Sequence, residues 1–201
     1  MNALEEYQTL GFTVLRKLLS SEDAGLLYQY TLKHQAEGNM DDGQVPGSAS
    51  FYLDGEMVKL QKKLLPTFQN LLQLQLLPVF TYHRIYRKGA VLRSHKDGTR
   101  AEISASINLG QEGEPWTLWL LDYDENPHQV ILQPGDAVLY NGVNLCHWRG
   151  RLLHSDYVSQ AMLHYVDKQG KHLAAGRAEV LYKLKKLLFG KKRKKEESSV
   201  E

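Results

Sequence analysis

The chain has little of what marks secreted or membrane proteins. It contains a single cysteine, Cys146, in 201 residues, which excludes an internal disulfide framework and is compatible with a reducing compartment. No apolar run is long enough to span a bilayer, and the first ten residues lack the basic and apolar segments of a signal peptide. We therefore expect a soluble, cytoplasmic protein.

A surplus of one charge sign is also missing from most of the chain. The net charge is +2, and removing the five basic and three acidic residues of 191–201 leaves 20 of each sign. This balance excludes a general nucleic-acid surface on the remainder. The 191–201 segment, KKRKKEESSVE, is predicted to be a disordered tail. It could contact an anionic lipid or nucleic-acid surface, or be solvated only.

What is present fits one globular domain at residues 1–190, since 42% of the residues are hydrophobic. Residues 1–78 read as helical support: a short strand at 11–15, helical spacing at 20–33, a loop at 38–50 and a second helix at 56–74. Pro66 is a possible interruption of that second helix. An amphipathic helix is predicted at 174–189, ended by Gly190.

Residues 79–166 change to short runs rich in β-branched and aromatic residues. The cleanest alternation is at 101–109, where apolar and polar residues take opposite faces. The pattern predicts a mainly β protein with flanking helices, as a β-sandwich, jelly roll or barrel. The predicted strands are 79–87, 91–96, 101–109, 117–123, 128–133, 137–140, 145–149 and 157–166.

Two His-x-Asp pairs are candidate metal sites, because residues two apart on a strand share a face. His95 and Asp97 lie beside a strand, and His147 follows fifty residues after Asp97, beyond a Gln-Pro-Gly-Asp turn at 133–136. Two histidines and one carboxylate form the triad typical of non-haem Fe(II). The second pair, His154 and Asp156, has no comparable third ligand downstream.

Two further histidines are expected to lie away from the metal. His164 falls inside a predicted strand and is expected to be structural. His83, with Tyr82 and Arg84, is expected to lie on the sheet without touching the site.

The ordered set of His95, Asp97, the Pro-Gly-Asp turn, His147 and the strand at 160–165 resembles the Fe(II)/2-oxoglutarate-dependent dioxygenases, most closely the prolyl-4-hydroxylase-like branch. The resemblance covers about 82–166. It implies a double-stranded β-helix (jelly roll) supported by N-terminal helices. It also implies that His95, Asp97 and His147 bind Fe(II), with 2-oxoglutarate and O2 as cosubstrates. The implied reaction hydroxylates a small molecule or a protein residue and releases succinate and CO2.

The same resemblance implies a basic residue for the distal carboxylate of 2-oxoglutarate, about nine to fourteen residues past the second histidine. The chain departs from this pattern, because residues 156–161 contain no Lys or Arg. Arg149 is the preferred substitute, since it and Arg151 alternate onto the His147 face of a regular strand. Arg100 is a weaker substitute. Alternatively, Arg149 pairs with a surface acid.

The resemblance also implies cosubstrate contacts from Tyr86, Asn108 and Gln160. Ser104 and Ser106 would line the same wall, or else lie on a solvated outer face. A non-catalytic, cupin-like jelly-roll binding protein is the alternative function, and a protein acting through its basic tail is a third. The loops at 38–54 and 110–116 do not identify a substrate.

Overall fold

The structure is a computed structural model that describes residues 1–197, with side chains described up to Lys185. It contains four α-helices and ten strands within that range. The helices are α1 (Ala3–Leu10), α2 (Ser21–His34), α3 (Gly55–Leu72) and α4 (Leu173–Glu197). The strands are β1 (Phe12–Leu15), β2 (Ala49–Tyr52), β3 (Leu76–Arg87), β4 (Leu92–His95), β5 (Ile103–Gly113), β6 (Leu118–Leu121), β7 (Pro127–Val130), β8 (Ala137–Asn141), β9 (His147–Arg149) and β10 (Ser155–Asp167).

The strands form two antiparallel sheets. The larger sheet has the order β1-β8-β5-β10-β3-β2, and the smaller has the order β4-β9-β6-β7. Residues of both sheets line one cavity, so the sheets enclose it. The prediction of a mainly β jelly roll with flanking helices is confirmed.

The helices are set by local signals and by burial. Ser20 caps α2 and Asp54 caps α3 through side-chain contacts to backbone amides. Pro66 lies inside α3 without ending it, because residues such as Leu64 and Phe68 bury one helix face. That burial offsets the hydrogen bond that proline cannot donate. Helix α1 and strand β2 were not predicted, although Asn2 and Glu5 form a capping box.

The main apolar core lies on one face of the larger sheet. Ile103, Ala105 and Ile107 of β5 pack there in one cluster with Leu163 of β10 and Phe68 of α3. The alternation predicted at 101–109 is therefore confirmed. Among the intervening polar residues, Ser106 of β5 and His164 of β10 line the cavity.

The Gln-Pro-Gly-Asp turn fixes the start of β8. Gly135 has a φ of 89°, and a Cβ there would lie 2.6 Å from the Leu19 carbonyl oxygen, so only glycine fits. The Asp136 carboxylate accepts from the Arg16 guanidinium at 2.7 Å and from the backbone amide of Lys17 at 2.8 Å. The turn thus fastens β1 to the edge of the larger sheet.

Helix α4 corrects one prediction. It begins at Leu173 and continues through Gly190 to Glu197, so Gly190 does not end it. A glycine inside a helix costs only about 1 kcal/mol, and the flanking Lys, Arg, Leu and Glu residues favour helix. Residues 191–197 of the predicted disordered tail are therefore helical, and 198–201 lie outside the described residues. None of the helices described is both long and apolar enough to cross a membrane.

Candidate metal centre and its cavity

Three potential ligands meet where β4 and β9 pair. His95 ends β4 opposite His147, the first residue of β9, and Asp97 follows two residues after His95. Their ligand atoms lie within 4.8 Å of one another. Each histidine Nε2 is 3.8 Å from Asp97 Oδ1. The three residues predicted from spacing are thus brought together by the register of one strand pair.

Both histidines present the nitrogen that a metal requires. His95 Nδ1 is 2.8 Å from the Arg93 carbonyl oxygen, and His147 Nδ1 is 3.2 Å from that of Leu145. A carbonyl oxygen only accepts, so each Nδ1 carries the proton and each Nε2 keeps its lone pair. Burial also lowers the pKa of His147, which favours the neutral imidazole that binds metals.

Asp97 is held from two sides. Its backbone amide donates to the Gly142 carbonyl at 2.8 Å, and Ser104 Oγ donates to Oδ2 at 2.9 Å. Ser104 Oγ is also 2.9 Å from His164 Nδ1. A Cβ at Gly142 would lie 2.5 Å from Asp97 Oδ2, so no side chain fits there. These contacts leave Oδ1 facing the histidines.

The donor set fits a particular class of metal. Two neutral imidazole nitrogens and one carboxylate oxygen converge from one side, as in the facial triad of non-haem Fe(II) proteins. Asp97 and His95 are partly accessible, with 15% and 25% of their side chains exposed, whereas His147 is 4% exposed. The arrangement therefore leaves one side of the centre open to the cavity.

The cavity has a volume of about 260 Å³. Its wall combines apolar, aromatic and charged side chains from both sheets and from the 38–48 loop that precedes β2. The lining residues include the triad and Gln44, Phe80, Tyr82, Arg84, Tyr86, Leu92, Ser106, Leu118, Tyr140, Arg149, Met162 and His164.

Arg149 lies in the cavity wall with 2% of the residue exposed. Its guanidinium donates to the Trp116 carbonyl and, at 3.4 Å, to Gln160 Oε1, and it lies 5.2 Å from the Trp116 ring centroid. Burial lowers its pKa to about 10, which leaves it charged at neutral pH. No acidic side chain among the described residues pairs with it. The pairing with a surface acid that the sequence left open is therefore wrong.

The other predicted cosubstrate contacts divide into two groups. Tyr86 lines the cavity, as does Ser106. Gln160 lies behind the wall, where it accepts from Arg149 and, at 3.4 Å, from Ser106 Oγ. Asn108 is not among the lining residues, and its amide donates to the Leu132 carbonyl at 2.8 Å. Gln160 thus orients Arg149. Contact of Asn108 with the cosubstrate stays a prediction, and Asn108 does not line the cavity.

The structure places the weaker candidates elsewhere. Arg100 is half exposed and pairs with Glu179, and Arg151 is exposed beyond the end of β9. His154 and Asp156 are both exposed. None of these four residues lines the cavity.

Several residues line the cavity that the sequence did not place there. Tyr82 and Arg84 line the cavity, as does His164, contrary to expectation. Strand alternation could have shown this for β3, because both residues share the face of Tyr86. Gln44 had no such signal, since only the path of the 38–48 loop brings it to the cavity.

Comparison with solved structures relates the fold to iron oxygenases. A Pseudomonas putida prolyl-4-hydroxylase aligns with a TM-score of 0.65 and 17% identity, over 81% of this chain and 96% of that one. HygX from Streptomyces hygroscopicus, solved with nickel and 2-oxoglutarate, gives 0.65 and 15%, over 83% and 87%. The α-ketoglutarate-dependent epimerase SnoN of nogalamycin biosynthesis gives 0.71 and 12%, over 82% and 81%. No protein-family model and no curated protein sequence matches the chain.

Proposed function

We propose that this protein is an Fe(II)- and 2-oxoglutarate-dependent oxygenase that hydroxylates its substrate and releases succinate and CO2. The observation that carries the proposal is that both histidine Nε2 atoms lie 3.8 Å from Asp97 Oδ1, at a cavity lined by the buried Arg149, which has no acidic partner among the described residues. The solved structures with this fold support it, because several were determined with iron, nickel or 2-oxoglutarate.

In this proposal His95, Asp97 and His147 hold Fe(II). Bound iron supplies the coupled reduction of O2 and oxidative decarboxylation of 2-oxoglutarate. The backbone carbonyls of Arg93 and Leu145 fix the histidine tautomers, and Ser104 orients the carboxylate. The chain thus supplies a ligand set whose histidine tautomers and carboxylate orientation are set before metal arrives.

Arg149 is the proposed clamp for the distal carboxylate of 2-oxoglutarate. Gln160 stands on β10 in the interval where the resembled branch has its basic residue, and the Arg149 guanidinium reaches it from the adjacent wall. Arginine from β9 would then replace a clamp from β10 at nearly the same place. An anion there would neutralise a buried charge, which a low-dielectric site strongly favours. Tyr86 offers a phenol in the same wall.

Hydroxylation is proposed as the outcome because Asp97 provides the carboxylate ligand, in a position that related halogenases leave for halide. The substrate is a small molecule or a protein residue. No observation on the described residues favours the non-catalytic, cupin-like alternative. Contact of the basic segment 191–195 with an anionic surface stays a prediction.

The experiment adds Fe(II) and 2-oxoglutarate to the protein without oxygen and measures the metal-to-ligand charge-transfer absorbance. We expect a saturable band, and succinate when air is admitted. Arg149→Gln should raise the 2-oxoglutarate concentration for half-saturation by about tenfold or more, because a charge-assisted hydrogen bond is lost. Iron affinity should stay unchanged.

Arg151→Gln is the matched control, since Arg151 is exposed just beyond the same strand. Absence of both the band and succinate would exclude the oxygenase function. An unchanged 2-oxoglutarate requirement in Arg149→Gln would exclude only the clamp.

A further inference from the structure

The side chain of Gln44 bridges the metal centre and a second buried arginine. Its Oε1 accepts from Arg84 Nη1 at 3.1 Å, and its Nε2 lies 3.0 Å from His95 Nε2. Gln44 belongs to the 38–48 loop, whose Asp42 carboxylate accepts from Arg84 Nη2 at 2.6 Å. A carboxamide therefore occupies the space between Arg84 and the triad.

One of these contacts is incompatible with a bound metal. His95 Nδ1 donates to the Arg93 carbonyl, so His95 Nε2 has a single lone pair, which accepts from the Gln44 amide. A metal ion needs that same lone pair. If the proposed function is correct, Gln44 must leave His95 whenever iron is bound.

If Gln44 moved away, Arg84 would have N–H groups without hydrogen-bond acceptors. Only 2% of its side chain is exposed, and Nη2 is already used by Asp42. Nη1 would lose its acceptor, and Nε has no partner among the described residues. Buried donors without acceptors are costly, so this position favours a ligand that supplies an oxygen acceptor.

The surroundings of Arg84 favour a carboxylate as that acceptor. The guanidinium lies 5.1 Å from the Tyr82 ring centroid and 5.5 Å from that of Tyr86, in the wall of the cavity. Planar guanidinium pairs best with planar carboxylate, and burial strengthens the pair. In the proposed function Arg149 binds the distal carboxylate of 2-oxoglutarate, so Arg84 is the arginine that remains for a substrate carboxylate.

We propose that Arg84 anchors a carboxylate group of the primary substrate, and that Gln44 is a placeholder which leaves this position when metal binds. The inference rests on the proposed function and deepens it. The substrate class is then a carboxylic acid whose oxidised carbon lies close to its carboxylate, because the carboxamide that marks the position reaches from Arg84 to a metal ligand. The Asp42 carboxylate keeps the guanidinium oriented.

The first test measures metal affinity without turnover. Ni(II) is titrated into wild type and Gln44→Ala by isothermal calorimetry. We expect binding to Gln44→Ala to be about two- to tenfold tighter, because the variant lacks the hydrogen bond that competes for His95. Gln35→Ala, in the turn after α2, is the control and should leave the affinity unchanged. Equal affinity of Gln44→Ala and wild type would show that Gln44 is not a placeholder.

The second test measures the carboxylate site in Ni(II)-loaded protein saturated with 2-oxoglutarate. The probes are hexanoate and hexanamide, which differ mainly in charge. We expect saturable hexanoate binding that weakens about tenfold or more in Arg84→Gln, and weaker hexanamide binding that responds less to the substitution. Arg87→Gln, exposed on the same strand, should bind hexanoate like wild type.

Two results would overturn the proposal: no hexanoate binding by wild type, or equal hexanoate binding by wild type and Arg84→Gln. Hexanamide binding as tight as hexanoate would replace the carboxylate with a neutral carbonyl and overturn the assigned class. Arg84→Gln leaves the Asp42 carboxylate without its charged partner. The Asp42→Asn/Arg84→Gln double variant therefore repeats the measurement without a buried unpaired charge. Binding of 2-oxoglutarate and of hexanoate is measured in separate calorimetric titrations. A failure of 2-oxoglutarate alone to bind would therefore count against the proposed function and not against the carboxylate site.

Discussion

The two faces of strand β5 are equally buried and chemically opposite. Ile103, Ala105 and Ile107 pack into the apolar core, whereas on the other face Ser106 lines the cavity and Ser104 contacts Asp97. The first face is stabilised by removing apolar surface from water. The second is held by hydrogen bonds to groups of the site. Burial alone therefore does not identify a structural residue in this sheet; the partners of the side chain do.

Adjacent residues of β3 show the same contrast with charge. Arg84 is buried on the cavity face and donates to Asp42 and Gln44. His83 is buried on the opposite face with its ring stacked on Phe51 at 4.3 Å, and no residue in the described part of the chain hydrogen-bonds to either ring nitrogen. The cavity face of β3 thus carries a charged guanidinium paired with a carboxylate, whereas burial on the opposite face favours a neutral histidine.

The largest expected effect separates the two faces through metal affinity. Asp97→Ala removes the only carboxylate of the triad, so we expect Ni(II) affinity to fall by more than about a hundredfold. The unfolding free energy of the metal-free protein should change by no more than about 1 kcal/mol, because Asp97 is partly exposed. Calorimetric titration and urea denaturation measure the two quantities.

Ile107→Ala on the other face is the matched comparison for this prediction. It leaves a cavity in the core, so we expect a loss of about 2–5 kcal/mol of unfolding free energy with metal affinity retained in the folded fraction. If Ile107→Ala weakened metal binding as much as Asp97→Ala, the core face would not be separate in function from the face that supports the metal centre.

The sequence was sufficient for features that depend on short-range spacing. Alternation predicted both faces of β5, and the intervals from His95 to Asp97 and His147 predicted the three residues that the structure brings together. Alternation also predicted that Arg149, two residues after His147, shares the face of that histidine, and both residues line the cavity.

Features that depend on long-range packing could not be predicted. The contact between Gln44 and His95 joins residues 51 positions apart through an irregular loop, and no periodicity encodes that path. Arg84 was expected to lie on the sheet away from the site, although it is two residues from Tyr86 and therefore shares its face of the strand. At Gly190, the strong stop signal was outweighed by good helix formers on both sides.

The next prediction concerns acid stability and His83. Burial is the main cause that lowers its pKa from 6.5 to about 4, although Asp54 opposes the shift. The unfolded state therefore binds a proton below pH 6.5 that the folded state refuses, so stability falls as the pH decreases from about 6.5 to about 4. His83→Phe should remove about 2–3 kcal/mol of that loss.

Urea denaturation of wild type and His83→Phe at pH 7 and pH 4.5 measures the difference. The pKa of His164 is also lowered to about 4 by burial, but His164 is present in both proteins, so the comparison isolates His83. If both proteins lost the same free energy between the two pH values, the neutral histidine would not be a feature of this face.

The smallest expected effect lies at Ser104, a buried residue of β5 that contacts the proposed ligand Asp97. Ser104→Ala removes the donor to Asp97 Oδ2, so we expect Ni(II) affinity to fall about tenfold, as for other contacts that orient metal ligands. Ser106→Ala is the control, because Ser106 shares the face but contacts Gln160 rather than the triad. Its metal affinity should stay within about twofold of wild type. If the two variants behaved alike, the Ser104 hydroxyl would not orient Asp97, and the backbone contact to Gly142 would be sufficient.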